Sequence, residues 1–251
     1  MKLIFACTLL FTCLAFTLPK PKVITIFMAG DSTMANKPKA EHPERGWGMM
    51  LQDFFDDKVR VENIARNGRS TKTFLSEGLW QSILDKIKKG DYVIIQFGHN
   101  DSVPSKVNSY TTPAQYKANL IRYVSETRAR KATPILCTPI MRRRFDESGQ
   151  FYDTHGEYPD IVRQLADSLR VPLVDMHRSS EKLIVAHGEA ASKKIFLHFS
   201  PGEHKLLPDG LKDDTHFSTY GARQMAALFV EDLRSTKTKL VKHLRNDTPG
   251  K

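Results

Sequence analysis

The chain has 251 residues, 40% of them hydrophobic and 26% charged, with a formal net charge of +10. Such a length suits an α/β domain with a sizeable core, and the composition is that of an ordinary globule, not a disordered or disulfide-stapled chain. The positive balance invites a nucleic-acid partner, yet the basic residues are scattered through both halves, without a basic tail, a zinc motif or an RNP-type aromatic strand. An anionic polysaccharide suits the charge as well, and nucleic acid is not expected.

The chain starts with Lys2 and the apolar run 3-LIFACTLLFTCLAFTL-18. This run is too short for a comfortable membrane span and reads as a secretory signal, with cleavage after Ala15. The expected organisation is a signal and short lead-in over residues 1–20, followed by one domain over 21–251. The product would be secreted or periplasmic, with no stable membrane span; Cys7 and Cys13 leave a lipid-anchored form open. Loss of both cysteines with the signal leaves Cys137 alone, in 134-PILCTP-139, where a buried structural thiol is expected and no disulfide can form.

Apolar, strand-like runs follow at 23-VITIFMA-29, 59-VRVENIA-65, 91-DYVIIQFG-98, 133-TPILCTP-139 and 171-VPLVDM-176. Between them, helical spacing appears over 46–55, 79–89, 113–130 and 157–170, and a last amphipathic helix over 218–235. Pro113 after Thr112 marks a helix start and Ser218 an N-cap. Strands apolar throughout, alternating with helices, predict a five-stranded parallel sheet covered on both faces. In such sheets, sites form at the carboxyl edges of strands.

Polar clusters stand at those edges. The first strand ends in Gly30-Asp31-Ser32-Thr33, the second leads into Asn67-Gly68, and the third ends in Gly98-His99-Asn100-Asp101. Near the C-terminus, 212-KDDTHFSTYGA-222 places Asp213 three residues before His216, on one face of a helix-like turn. These are the parts acyl transfer needs. A serine hydroxyl requires a neutral histidine to take its proton, the histidine requires an orienting acid, and the oxyanion requires fixed donors. The Ser32 and Gly68 N–H groups and the Asn100 amide are the candidate donors.

The blocks Gly30-Asp31-Ser32, Gly68, Gly98-His99-Asn100-Asp101 and Asp213-x-x-His216 resemble, in order, those of the GDSL/SGNH hydrolases. The segments 40-AEHPERGWGMML-51, 138-TPIMRRRFDESGQFYDTHGEYPDIVRQLA-166 and 200-SPGEHKLLPDGLKDDTHFSTYGA-222 are similar to the rhamnogalacturonan acetylesterase branch. The resemblance implies a flavodoxin-like three-layer α/β/α sandwich and a serine esterase acting on O-acetyl groups of an acidic pectic polysaccharide. It implies Ser32 as nucleophile, His216 as base and Asp213 as its orienter, with Ser32, Gly68 and Asn100 as the oxyanion hole. The elbow reads Gly-Asp-Ser-Thr where Gly-Asp-Ser-Leu is commoner, which weakens any statement about acyl chain. No metal or organic cofactor is required. Other ester hydrolases of this fold, such as a xylan deacetylase or a short-chain thioesterase, are the alternative, and a non-catalytic polysaccharide-binding protein a more distant one.

Several residues compete for these roles. His99 is a second candidate base, but it lacks an acid at a helpful spacing. Asp214 adjoins Asp213, and Asp31 and Asp101 are expected to hold turns. His198, His204, Asp213 and His216 fit no compact metal-ligand spacing. Trp47 either lines a sugar cleft or anchors a helix start. Arg142, Arg143 and Arg144 follow the fourth strand, either as a solvated loop face or as a polyanion contact.

Overall fold

The computed structural model describes residues 23–37 and 39–246. The signal-like segment therefore lies outside the described residues. Five strands form a parallel sheet: β1 (Ile24–Gly30), β2 (Val59–Asn63), β3 (Tyr92–Gln96), β4 (Thr133–Cys137) and β5 (Leu173–Val174), in the spatial order β2-β1-β3-β4-β5. The α/β sandwich with a five-stranded parallel sheet expected from the alternation is the one observed.

The strands are apolar on both faces because both are covered. In β1, Ile26 and Met28 enter one core, whereas Phe27 and Ala29 enter the other, as the two-residue period dictates. The first core takes a 3-10 helix (Trp47–Phe54) and two helices, α5 (Met176–Ser192) and α6 (Thr219–Arg234). The second takes α1 (Thr71–Ser76), α2 (Leu79–Leu84), α3 (Pro113–Ala129) and α4 (Tyr158–Ser168). Thr112 caps α3 reciprocally with Gln115, and Pro113 sits in its first turn, where its missing N–H costs nothing. In α6, Ala222, Met225, Ala226, Phe229, Val230 and Leu233 make the apolar stripe that faces the sheet.

The structure departs from the sequence reading in four places. The segment read as a helix over 46–55 is a 3-10 helix, and α1 and α5 were not foreseen. The larger difference is an antiparallel hairpin of β6 (Phe196–Phe199) and β7 (Leu211–Phe217), which carries the segment read as a helix-like turn. Leu197 pairs with Asp213 while its neighbour Phe196 pairs with Phe217, so residues 214–216 bulge out of the ladder.

Trp47 is a correction of the cleft reading. Its side chain is fully buried, stacked on Phe229 with ring centroids 4.9 Å apart, and its indole N–H donates to Gln96 Oε1 at 2.8 Å. It joins the 3-10 helix to α6 and β3, and a sugar cannot reach it.

Candidate active site

β1 delivers Ser32 at its carboxyl end. Gly30 is required there by close approach, because a Cβ would meet Gln96 O at 2.9 Å and Met34 Sδ at 2.7 Å. Asp31 then closes the turn. Its Oδ1 accepts from the Thr33 N–H at 3.0 Å and the Thr33 hydroxyl at 2.8 Å. Burial opposes ionisation of Asp31, but His99 and the Thr33 donors outweigh it and hold its pKa at about 2.

The hairpin bulge delivers the histidine. Asp213 Oδ1 accepts from the backbone N–H groups of Thr215 (2.8 Å) and His216 (3.0 Å), a local turn built by the side chain itself. Its other oxygen accepts from His216 Nδ1–H at 2.7 Å, and His216 Nε2 lies 2.9 Å from Ser32 Oγ. Burial raises the Asp213 pKa, but the bonds to His216 and the backbone lower it further, to about 2. An ionised Asp213 fixes the proton on Nδ1 and leaves Nε2 free to accept from the serine hydroxyl. The structure thus joins Ser32, His216 and Asp213 in one relay, with Asp213 and His216 three residues apart as the sequence suggested, although on a strand bulge.

Gly68 follows Asn67 with φ +77°, a left-handed conformation that suits glycine. Among the described residues, neither the Ser32 nor the Gly68 N–H meets an acceptor. Asn100 is nearly buried, and its Nδ2 donates to Arg69 O at 3.0 Å while its Oδ1 accepts from Lys106 Nζ at 2.9 Å. An ammonium can only donate, so Lys106 fixes the amide with its nitrogen toward the Gly68–Arg69 loop. The second Asn100 N–H, like the Ser32 and Gly68 N–H groups, meets no acceptor among the described residues.

The competing residues separate on geometry. His99 does have an acid nearby, Asp31 Oδ2 at 3.4 Å, contrary to the spacing argument, but neither of its ring nitrogens hydrogen-bonds to Ser32. It is nearly fully buried, and that burial lowers its pKa. Asp214 turns away from His216 to meet Arg143 (2.8 Å), His198 (2.7 Å) and Arg144 (3.4 Å). Asp101 accepts from Thr71 and Thr111 and secures the start of α1; burial outweighs these bonds and raises its pKa to about 7. Cys137 is buried, and burial pushes its thiol well above the usual range, leaving it inert.

The arginine run is not a uniformly solvated face. Arg143 is 5% exposed and spends its guanidinium on Asp214, Ser192 Oγ and Glu189 O, so it is unavailable to a polyanion. Arg144 leans on Asp214. Arg142 points back to the site, donating to His99 O at 2.9 Å.

Among the described residues, the histidine–acid group compact enough to share an ion is Asp153, His155 and His177, not the set around His198 and His204. Arg163 Nη2 lies 3.3 Å from His177 Nδ1. A guanidinium donates only, so the His177 proton sits on Nε2, 3.2 Å from Asp153, and that nitrogen has no lone pair for a metal.

Sequence reasoning missed Lys37. Its buried ammonium donates to Ser32 O and Asn67 Oδ1, both at 2.7 Å, and pairs with Glu44 at 2.6 Å. It therefore ties the serine turn to the loop that presents Gly68. No motif signals this, because the three partners meet only in the fold. A Lys37→Met variant should lose about 1–3 kcal/mol of stability, because it leaves the partly buried Glu44 carboxylate and the Asn67 Oδ1 without their donor. Chemical denaturation checks this, and Lys37→Met with Glu44→Leu should recover part of the loss. Equal midpoints for the single variant and wild type would show that the tether is dispensable.

Residues 28–224 match the model of the GDSL-like Lipase/Acylhydrolase family. The chain is 41% identical over 223 residues to the rhamnogalacturonan acetylesterase RhgT of Bacillus subtilis (strain 168), covering 89% of this chain and 95% of that relative. It is 34% identical to the probable rhamnogalacturonan acetylesterase YesY of the same organism, covering 83% and 92%. Among solved structures, protein YxiM of Bacillus subtilis superposes with a TM-score of 0.72 at 27% identity over 84% of this chain. This chain spans only 56% of that one. The acetylxylan esterase Axe2 of Geobacillus stearothermophilus, at a TM-score of 0.60 and 19% identity over 87% of this chain and 98% of its own, shares the fold.

Proposed function

The chain belongs to the GDSL-like lipase/acylhydrolase family of carboxylic ester hydrolases, and within that family we propose that it is a secreted serine acetylesterase acting on acidic pectic polysaccharide. The observation that carries the catalytic reading is the unbroken relay from Ser32 Oγ through His216 to Asp213.

Ser32 Oγ attacks the acetyl carbonyl carbon as His216 Nε2 takes its proton. The Ser32 and Gly68 N–H groups and the free Asn100 N–H receive the negative charge that develops on the carbonyl oxygen. The tetrahedral intermediate collapses, His216 returns the proton to the departing sugar oxygen, and the acetyl group stays on Ser32. Water, deprotonated by the same Nε2, then releases acetate and restores the hydroxyl. Asp213 stabilises the imidazolium in both half-reactions without taking the proton.

The pectic substrate is supported by the relatives, two of which carry rhamnogalacturonan acetylesterase in their names, and by the surplus of positive charge. Secretion is supported by Lys2 and the apolar run after it. Among the described residues no helix is long and apolar enough to cross a membrane. The substrate test is acetate release from acetylated rhamnogalacturonan, xylan and mannan. Rhamnogalacturonan should be preferred, and its turnover should fall as salt rises while a small neutral acetyl ester is little affected. Preference for xylan at any ionic strength would replace the pectic reading with that of a neutral-polymer deacetylase.

A further inference from the structure

The His99–Asn100 step is gripped by two cations. Lys106 Nζ donates to Asn100 Oδ1 at 2.9 Å, and Arg142 Nη2 donates to His99 O at 2.9 Å. Arg142 Nη1 donates to Thr154 Oγ1 at 2.8 Å. All three acceptors are uncharged oxygens. Among the described residues, neither cation has a carboxylate within ion-pair distance, whereas Lys37, Arg143, Arg144 and Arg163 each have one.

The surroundings make this unusual for Arg142, which is largely withdrawn from water, and that burial lowers its pKa. Lys106 is exposed, and partial desolvation and the charge of Arg142 lower its pKa. Arg142 does feel Asp31 and Asp153 at longer range. Asp31 Oδ1 is already held by Thr33, and Asp153 by His155 and the neighbouring backbone. Desolvating a guanidinium is costly unless an anion meets it. Each cation also keeps unspent donors, since guanidinium has five and ammonium three. Lys106 holds the Asn100 side chain and Arg142 the carbonyl of the residue before it, so both adjoin the Asn100 donor proposed for the oxyanion.

We propose that Lys106 and Arg142 form a carboxylate-binding subsite next to the Ser32–Gly68–Asn100 donors, and that it takes the carboxylate of a uronic acid unit at or adjacent to the acetylated sugar. The subsite rests on the acidic-polysaccharide reading above and narrows it to two side chains. It removes Arg143 from substrate recognition and adds Lys106, which no motif had marked. Lys106 is at the same time a positioning residue, because its bond to Oδ1 sets the Asn100 amide.

The test is inhibition of neutral acetyl ester hydrolysis by digalacturonate and by its fully methyl-esterified form, using the full chain. The methyl ester keeps the sugar shape and removes the charge. In wild type the anion should inhibit about tenfold more tightly or better, as charge-assisted hydrogen bonds allow. That ratio should approach one in Lys106→Gln and in Arg142→Gln, and persist in Lys106→Arg. A ratio within each variant cancels any change in turnover caused by a shifted Asn100. If a glutamine variant fails to fold, the wild-type ratio should still collapse at high salt. Equal inhibition by both forms in wild type, or an unchanged ratio in both glutamine variants, overturns the subsite. The pectic reading fails separately: wild type that prefers the anion but releases no acetate from acetylated rhamnogalacturonan keeps the subsite and loses the substrate.

Discussion

Ser32→Ala should lower turnover of an activated acetyl ester by roughly four to six orders of magnitude, as loss of a nucleophile does in other serine hydrolases. The substitution removes one hydroxyl at the end of β1, whose contact is His216 Nε2 at 2.9 Å. Nothing in the two cores depends on it, so thermal unfolding should scarcely move. The residual rate should still exceed that of water, because the Ser32 and Gly68 N–H groups and the Asn100 amide remain in place to polarise a bound carbonyl. Turnover within tenfold of wild type in a folded variant would dismiss Ser32 as the nucleophile.

His216→Ala should be as damaging as Ser32→Ala, and the double variant little worse than either. Groups acting as one unit are not additive: without the base the hydroxyl is a poor nucleophile, and without the hydroxyl the base has nothing to activate. The local structure should survive, since Asp213 Oδ1 holds the bulge through the backbone N–H groups of residues 215 and 216, not through the imidazole. Steady-state kinetics on the three variants decide this. Losses that multiply in the double variant would mean that the two residues act in separate steps. A mild His216→Ala with a crippling His99→Ala would move the base to His99, which does lie near Asp31.

Much of this arrangement was legible because it is written locally. Strands apolar at every position can only be doubly covered, and the Thr112–Pro113 and Ser218 signals start helices where the structure does. The Asp213–His216 pair was readable from its spacing alone. The element carrying it was not, because Leu211–Phe217 is rich in charged residues that strands avoid, and its bulge breaks the alternation. α5 was obscured by Gly188, which is non-helical at φ 70°.

Side-chain roles fixed by distant partners were the least legible. An arginine run looks solvated until Asp214, 71 residues beyond Arg143, claims one member and leaves its neighbour Arg142 facing the site. A tryptophan between two glycines suits a sugar cleft equally well until Phe229 stacks on it. Lys37 and Lys106 carry no local mark at all. Both act by gripping a backbone or amide oxygen that the fold brings to them.

The proposal that Ser32 is the nucleophile of an acyl-enzyme is tested most directly by peptide mass spectrometry of the protein inactivated with an organophosphonate, which arrests serine hydrolases at the covalent stage. A single phosphonyl group should appear on Ser32, with stoichiometry tracking the loss of activity, and His216→Ala should remain unlabelled over the same exposure. Inactivation with the label on another residue, or with Ser32 unmodified, would contradict the assignment.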